Sequence, residues 1–154
     1  IEREFGDRQG ESTSLTNLGI IAKMRGDLNE AESLHRESLA ISREIGARQI
    51  EANSLGNLGN VASGRGDLDE AESLHRESLI IYREIGDRNG ESVSLTSLGY
   101  AAWRRGDYDE AERLYRESVR IKKVIGVPLA DWLIENGFTD PDAEWDFPPA
   151  EDTE

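Results

Sequence analysis

The chain has 154 residues and an acidic balance, 32 Asp and Glu against 18 Lys and Arg, which argues against nucleic-acid phosphates and anionic membrane surfaces as partners. It contains no cysteine, so disulfides, thiolate metal sites and cysteine nucleophiles are excluded. No apolar run reaches the length of a membrane span and no signal peptide opens the chain, which makes a cytoplasmic protein with one cored domain the expectation.

Residues 1–5 read as the interior of a helix, the end of a preceding unit, cut off at Gly6. The spacing then predicts a helix from about Gln9 to Arg25, with Leu15, Leu18 and Ala22 on one buried stripe. Gly26 is placed to stop it, as glycine does just past a helix C-terminus. Asp27 is placed to cap the next helix, with Glu30 three residues on as an acidic version of the capping box. That second helix should run from about Leu28 to Ile45 and bury Leu28, Ala31, Leu34 or His35, Ser38, Ile41 and Ile45. Glu32 sits four residues before Arg36, the favourable order for an ion pair on a helix surface. Gly46 ends the helix.

The same hairpin then recurs with a period of 40 residues. Residues 28–39 return as residues 68–79 with one change, Asn29 to Asp69, and residues 108–119 keep Glu110, Ala111, Glu112, Leu114, Arg116, Glu117 and Ser118. Glycine recurs at 6, 46, 86 and 126, at 19, 59 and 99, and at 26, 66 and 106. One hairpin cannot bury both of its faces but stacked neighbours can, so the pattern predicts an all-α solenoid whose stability is a sum of units and interfaces. The expected units span residues 6–45, 46–85 and 86–126, followed by a capping helix over 127–137 and a tail over 138–154.

The positions Leu15, Leu18, Gly19, Ala22, Ala31 and His35 resemble the tetratricopeptide signature, with Leu15, Ala22 and His35 standing where the family has tryptophan, tyrosine and phenylalanine. Leu55, Leu58, Gly59, Ala62, Ala71 and His75 form a second copy, and Leu95, Leu98, Gly99, Ala102, Ala111 and Tyr115 a third. The closing proline is replaced by Arg43, Arg83 and Lys123. The period exceeds the family's 34 by six residues, about 9 Å of extra helix, and is similar to the long repeats of kinesin light chain and the Leu-Gly-Asn-repeat polarity proteins. The resemblance implies a right-handed superhelical solenoid that binds a protein or peptide on a concave groove lined by the first helix of each pair. The implied groove positions are Thr13, Thr16, Asn17, Ile20 and Lys23, then Asn53, Gly56, Asn57, Asn60 and Ser63, then Val93, Thr96, Ser97, Tyr100, Trp103 and Arg104. Asn17 and Asn57 can offer both donor and acceptor to a peptide backbone; the competing reading is that they are solvated polar residues. Carboxylate-terminus recognition of the chaperone-binding kind is rejected, because only Asn57 fits its residue set.

Other motifs carry less. Glu32-x-x-His35 and Glu72-x-x-His75 match the Glu-x-x-His element of di-metal bundles, but both histidines hold an aromatic core position, so packing histidines and no metal or cofactor are expected. Arg25-Gly26-Asp27 and its two copies are explained by helix stop and cap. Catalytic sets are absent, since nearly every polar residue repeats with the scaffold, and the chain reads as a non-enzyme. Tyr100, Trp103 and Arg104 break the repeat on the groove side, an aromatic and cationic patch able to anchor a ligand or to pack on the tail.

Past Gly126, Pro128 can start a short helix whose Leu129, Trp132 and Leu133 share a face and cap the open end of the solenoid. Residues 138–154 are acidic with scattered aromatics and cannot make a core alone. They are expected to be disordered or loosely packed; the alternative is that Glu144-Trp145-Asp146-Phe147 docks in the chain's own or a neighbour's groove. The functional expectation is a protein-interaction scaffold within a larger protein, the alternative a self-association module, with a homo-oligomer as one form.

Overall fold

The computed structural model describes residues 2–146, which form seven helices and no strand. In chain order they are α1 (Glu2–Met24), α2 (Leu28–Ile45), α3 (Arg48–Gly64), α4 (Leu68–Ile85), α5 (Arg88–Arg104), α6 (Tyr108–Ile125) and the short α7 (Asp131–Glu135). Each odd helix packs on the next even one, α2 packs on α3 and α4 on α5, and α1, α3 and α5 lie side by side along one surface.

Local chemistry sets the helix ends. Asp27, Asp67 and Asp107 each accept a hydrogen bond from the backbone N–H three residues on, at 3.0, 3.1 and 3.3 Å, so each hairpin enters its second helix through the same cap. Gly46, Gly86 and Gly126 close those helices in the left-handed conformation, with φ of 68, 73 and 73°.

The hairpins are held by apolar packing and by a buried polar seam. Ser38, Ser78 and Ser118, all fully buried, each donate at 2.8 Å to the carbonyl 26 residues earlier, on Ser12, Ala52 and Ser92. Each bond ties the second helix of a hairpin to the first. Adjacent hairpins are joined by apolar clusters such as Leu79 with Leu95 and Leu98, and by arginines that reach back. Arg65 bonds Glu32 and Asn29, and Arg105 bonds Glu72 and Asp69. Arg43 spans Glu51 and Glu77, and Arg83 spans Glu91 and Glu117.

Two expectations for the first hairpin change. The chain does not break at Gly6: α1 runs unbroken from Glu2 through it to Met24. Leu18, expected in the buried stripe, is 52% exposed, whereas its counterparts Leu58 and Leu98 are 3% and 4% exposed. The difference lies in the neighbour: α3 and α5 are covered by the second helix of the hairpin before them, and among the described residues α1 is not.

At the other end α7 begins at Asp131, after the extended Ala130, ends at Glu135 and is followed by Gly137 with φ of 75°. The N–H of Phe138 returns 2.8 Å to the carbonyl of Leu133, bringing those two side chains together, both buried. They seat on Tyr115 and Val119 of α6. Residues 138–146, where composition suggested disorder or loose packing, lie against α6: Arg116 donates to the Pro141 carbonyl at 2.6 Å and its guanidinium lies 4.4 Å from the Trp145 ring centre. Arg120 pairs with Asp142. Phe147 and Pro148-Pro149 lie outside the described residues.

Candidate functional site

The surface shared by α1, α3 and α5 carries two joined recesses. One, of about 300 Å³, is lined by Thr16, Asn17, Ile20, Asn53, Gly56, Asn57, Asn60, His75, Tyr82, Val93, Ser94 and Ser97. The larger, of about 610 Å³, continues toward the C-terminal end; Lys23, Asn60, Thr96, Tyr100 and Trp103 line it together with His75, Tyr115 and Trp132.

The groove positions inferred from sequence do not all play the same part. Asn17, Asn57 and Asn60 present side-chain amides that make no hydrogen bond to the rest of the described chain, so donor and acceptor remain available. Asn53 is committed, its carbonyl oxygen accepting from the Tyr82 hydroxyl at 2.7 Å. Thr16 and Thr96 touch the recesses, but their hydroxyls meet Ser38 and Ser118 at 2.7 Å, which makes them part of the internal seam. Thr13 and Arg104 line neither recess; Arg104 donates to the Tyr100 hydroxyl at 2.8 Å and lies 5.7 Å from its ring centre.

Aromatic rings make the floor of the larger recess. Tyr100 and Trp103 have centroids 6.0 Å apart, Trp103 and Trp132 5.8 Å, and Trp132 and Phe138 5.5 Å. Phe138 then meets Trp145 at 5.0 Å, so one run of rings connects the groove to the tail on α6. Trp145 itself lines neither recess. Burial pushes the phenol of Tyr115, beside Trp132, above its ordinary range.

His75, Tyr82, Tyr115, Ala130, Trp132 and Leu133 were not among the expected groove residues. The signal for Tyr82 was its break with the repeat, where Ser42 and Lys122 hold the equivalent positions. The two histidines sit beneath Gly19 and Gly59 and are buried. Desolvation holds both imidazoles below the ordinary range, His75 at about 4. Glu32 and Glu72, the partners in the Glu-x-x-His motif, bond arginines instead: Arg36 with Arg65, and Arg76 with Arg105. Among the described residues no group of three or more His, Cys, Asp or Glu could hold a metal ion, and no helix is long and apolar enough to cross a membrane.

Helical hairpins stacked at a fixed period around a recessed face define an α-solenoid interaction scaffold. Residues 12–45 and 50–123 each match a model of the tetratricopeptide repeat, together well over half of the sequence. The chain belongs to the tetratricopeptide repeat family, and its general role is the protein–protein interaction typical of such domains. Its fold is similar to the crystal structure of BtubC (BKLC) from P. vanneervenii, with a TM-score of 0.70 and 24% identity over 85% of this chain and 55% of that one. The chain thus spans little more than half the length of that relative. No curated protein sequence matches it.

Proposed function

We propose that the groove binds an extended peptide segment of a protein partner, with a bulky apolar side chain in the aromatic recess and the peptide backbone met by Asn17, Asn57 and Asn60. The observation that carries this reading is the juxtaposition of unpaired amides with a recess of about 610 Å³ walled by Tyr100, Trp103 and Trp132. Aromatic pockets are where interfaces concentrate their binding energy, and unpaired amides facing solvent satisfy a backbone at little desolvation cost. The 40-residue period and second helices of 18 residues support placing the chain with the long-repeat forms similar to kinesin light chain. A displayed random-peptide library selected on the wild-type chain tests the proposal. The enriched peptides should lose at least tenfold in affinity on Trp103→Ala and on Asn57→Ala; peptides indifferent to both would end the groove reading.

A further inference from the structure

Trp132 walls the larger recess, yet its own helix does little to fix it there. α7 has five residues, too few to persist in water alone, and its N-cap residue Ala130 makes no side-chain cap bond. The orientation of Trp132 therefore comes from what stands behind it. The ring of Phe138 is 5.5 Å away, and that of Trp145 is 5.0 Å beyond Phe138.

The repeat shows how the far end of this run is held. Glu32 with Arg36, Glu72 with Arg76 and Glu112 with Arg116 are the same pair in three hairpins. The arginine side chain is 55 and 56% exposed in the first two and 19% exposed in the third. The tail makes the difference. The Arg116 guanidinium lies 4.4 Å from the Trp145 ring centre and donates to the Pro141 carbonyl at 2.6 Å. The Trp145 indole N–H donates to the Asp140 carbonyl at 2.8 Å, and one turn along α6 Arg120 donates to Pro141 and Asp142. Cation, ring and carbonyls close a clasp whose members line neither recess.

We propose that Arg116 and Trp145 are positioning residues for the groove: their clasp holds Phe138, and through it Trp132, in the wall of the aromatic recess. Affinity for a bound peptide then depends on a contact that the peptide never touches. The inference rests on the groove reading and adds the residues that set its wall. A wall ordered before the peptide arrives spares the complex that ordering cost. When the clasp opens, apparent affinity falls by the fraction of chains that keep the wall in place.

The test is titration calorimetry of the full chain with the peptides enriched on the wild type. Arg116→Met keeps the side-chain stem and removes the cation, and should weaken binding about tenfold, the scale of one desolvated cation–π contact. Trp145→Ala should match it, and the double variant should be no weaker than either, because the two residues act as one unit. Arg116→Lys, which restores a cation to the ring, should recover part of the loss. Arg36→Met removes the equivalent pair where no tail lies over it and should leave affinity unchanged. In the NMR spectrum Arg116→Met should also move the indole N–H signal of Trp132, which it does not touch. Peptides that need Trp103 but bind folded Arg116→Met and Trp145→Ala chains as tightly as wild type leave the groove standing and overturn the clasp. An equal loss on Arg36→Met, or a Trp132 signal that stays in place, overturns it too. Peptides indifferent to both Trp103→Ala and Asn57→Ala overturn the groove reading and this proposal with it. Should Trp145→Ala lose its helical circular dichroism, the comparison of Arg116→Met with Arg116→Lys decides, and equal affinities overturn the proposal.

Discussion

The imidazole of His75 fills the space where a side chain at position 59 would begin: a Cβ on Gly59 would fall 2.7 Å from both Cε1 and Nε2 of the ring. His35 stands in the same relation to Gly19, with Cε1 at 2.5 Å, and Tyr115 to Gly99 at 3.1 Å. The glycine of the first helix and the ring of the second are one packing unit, repeated in each hairpin.

Alanine scanning of helical glycines should therefore split by position. Gly59→Ala gains helix propensity but drives a methyl group into the His75 ring, and overpacking of about 1–3 kcal/mol should dominate. Gly56→Ala on the same helix meets only Ser78 Oγ at 3.5 Å, an ordinary contact, and should stabilise by about 0.4–1 kcal/mol. Urea unfolding of both variants checks the opposite signs.

Acid should weaken the fold through the histidines before it reaches the carboxylates. Both imidazoles have pKa values lowered in the folded state, His75 to about 4, so the unfolded chain binds the proton first as pH drops through the ordinary histidine value of 6.5. Their contribution is complete above that pH and is lost as pH falls; for His75 the loss extends down to about 4, by up to about 1.4 kcal/mol per pH unit. The salt-bridged Glu32, Glu72 and Glu110 have lowered values, so their loss begins only below the ordinary glutamate value of 4.5. His75→Tyr, which installs the residue of the third hairpin, should flatten stability between these pH values; denaturant midpoints across that range measure it.

Both ring nitrogens of His35 lack a hydrogen-bond partner although the residue is fully buried. A ring without polar atoms avoids that desolvation cost, so His35→Phe should raise stability by about 1 kcal/mol. A thermal melt at neutral pH would show it, and an unchanged or lower midpoint would count against the account.

Ser38 joins more groups than its counterparts, meeting the hydroxyls of Ser12, Thr16 and Ser54 and donating to the Ser12 carbonyl. Ser38→Ala should strand several buried polar groups and cost about 1–3 kcal/mol. Arg36→Ala, which removes an exposed ion pair with Glu32, should cost under about 1 kcal/mol. Equilibrium unfolding of the two variants side by side tests that ranking.

What could be read in the sequence was what the period controls. Asp27 and Gly46 set the ends of α2, and their copies set those of α4 and α6, because cap chemistry is local. The fate of Leu18 was not local, since its burial depends on a helix outside its own hairpin. The histidines followed from their aromatic core position, but the missing partners of His35 required coordinates. Asn17, Asn57 and Asn60 were inferred through family resemblance, whereas Trp132 reaches the recess only because the segment after α6 folds back onto it. The tail's aromatics were visible, and the arginines that hold the tail, Arg116 at Trp145 and Arg120 at Asp142, were masked by their place in a surface pattern.

All three tryptophans, Trp103, Trp132 and Trp145, belong to the run of rings at the C-terminal end, and the first two hairpins contain none. Intrinsic fluorescence is therefore a local thermometer. It reports loosening of the third hairpin and its tail and is blind to fraying of α1. Helical signal counts every turn equally, so the gap between emission-detected and ellipticity-detected melting curves gives the degree to which the hairpins melt as one body.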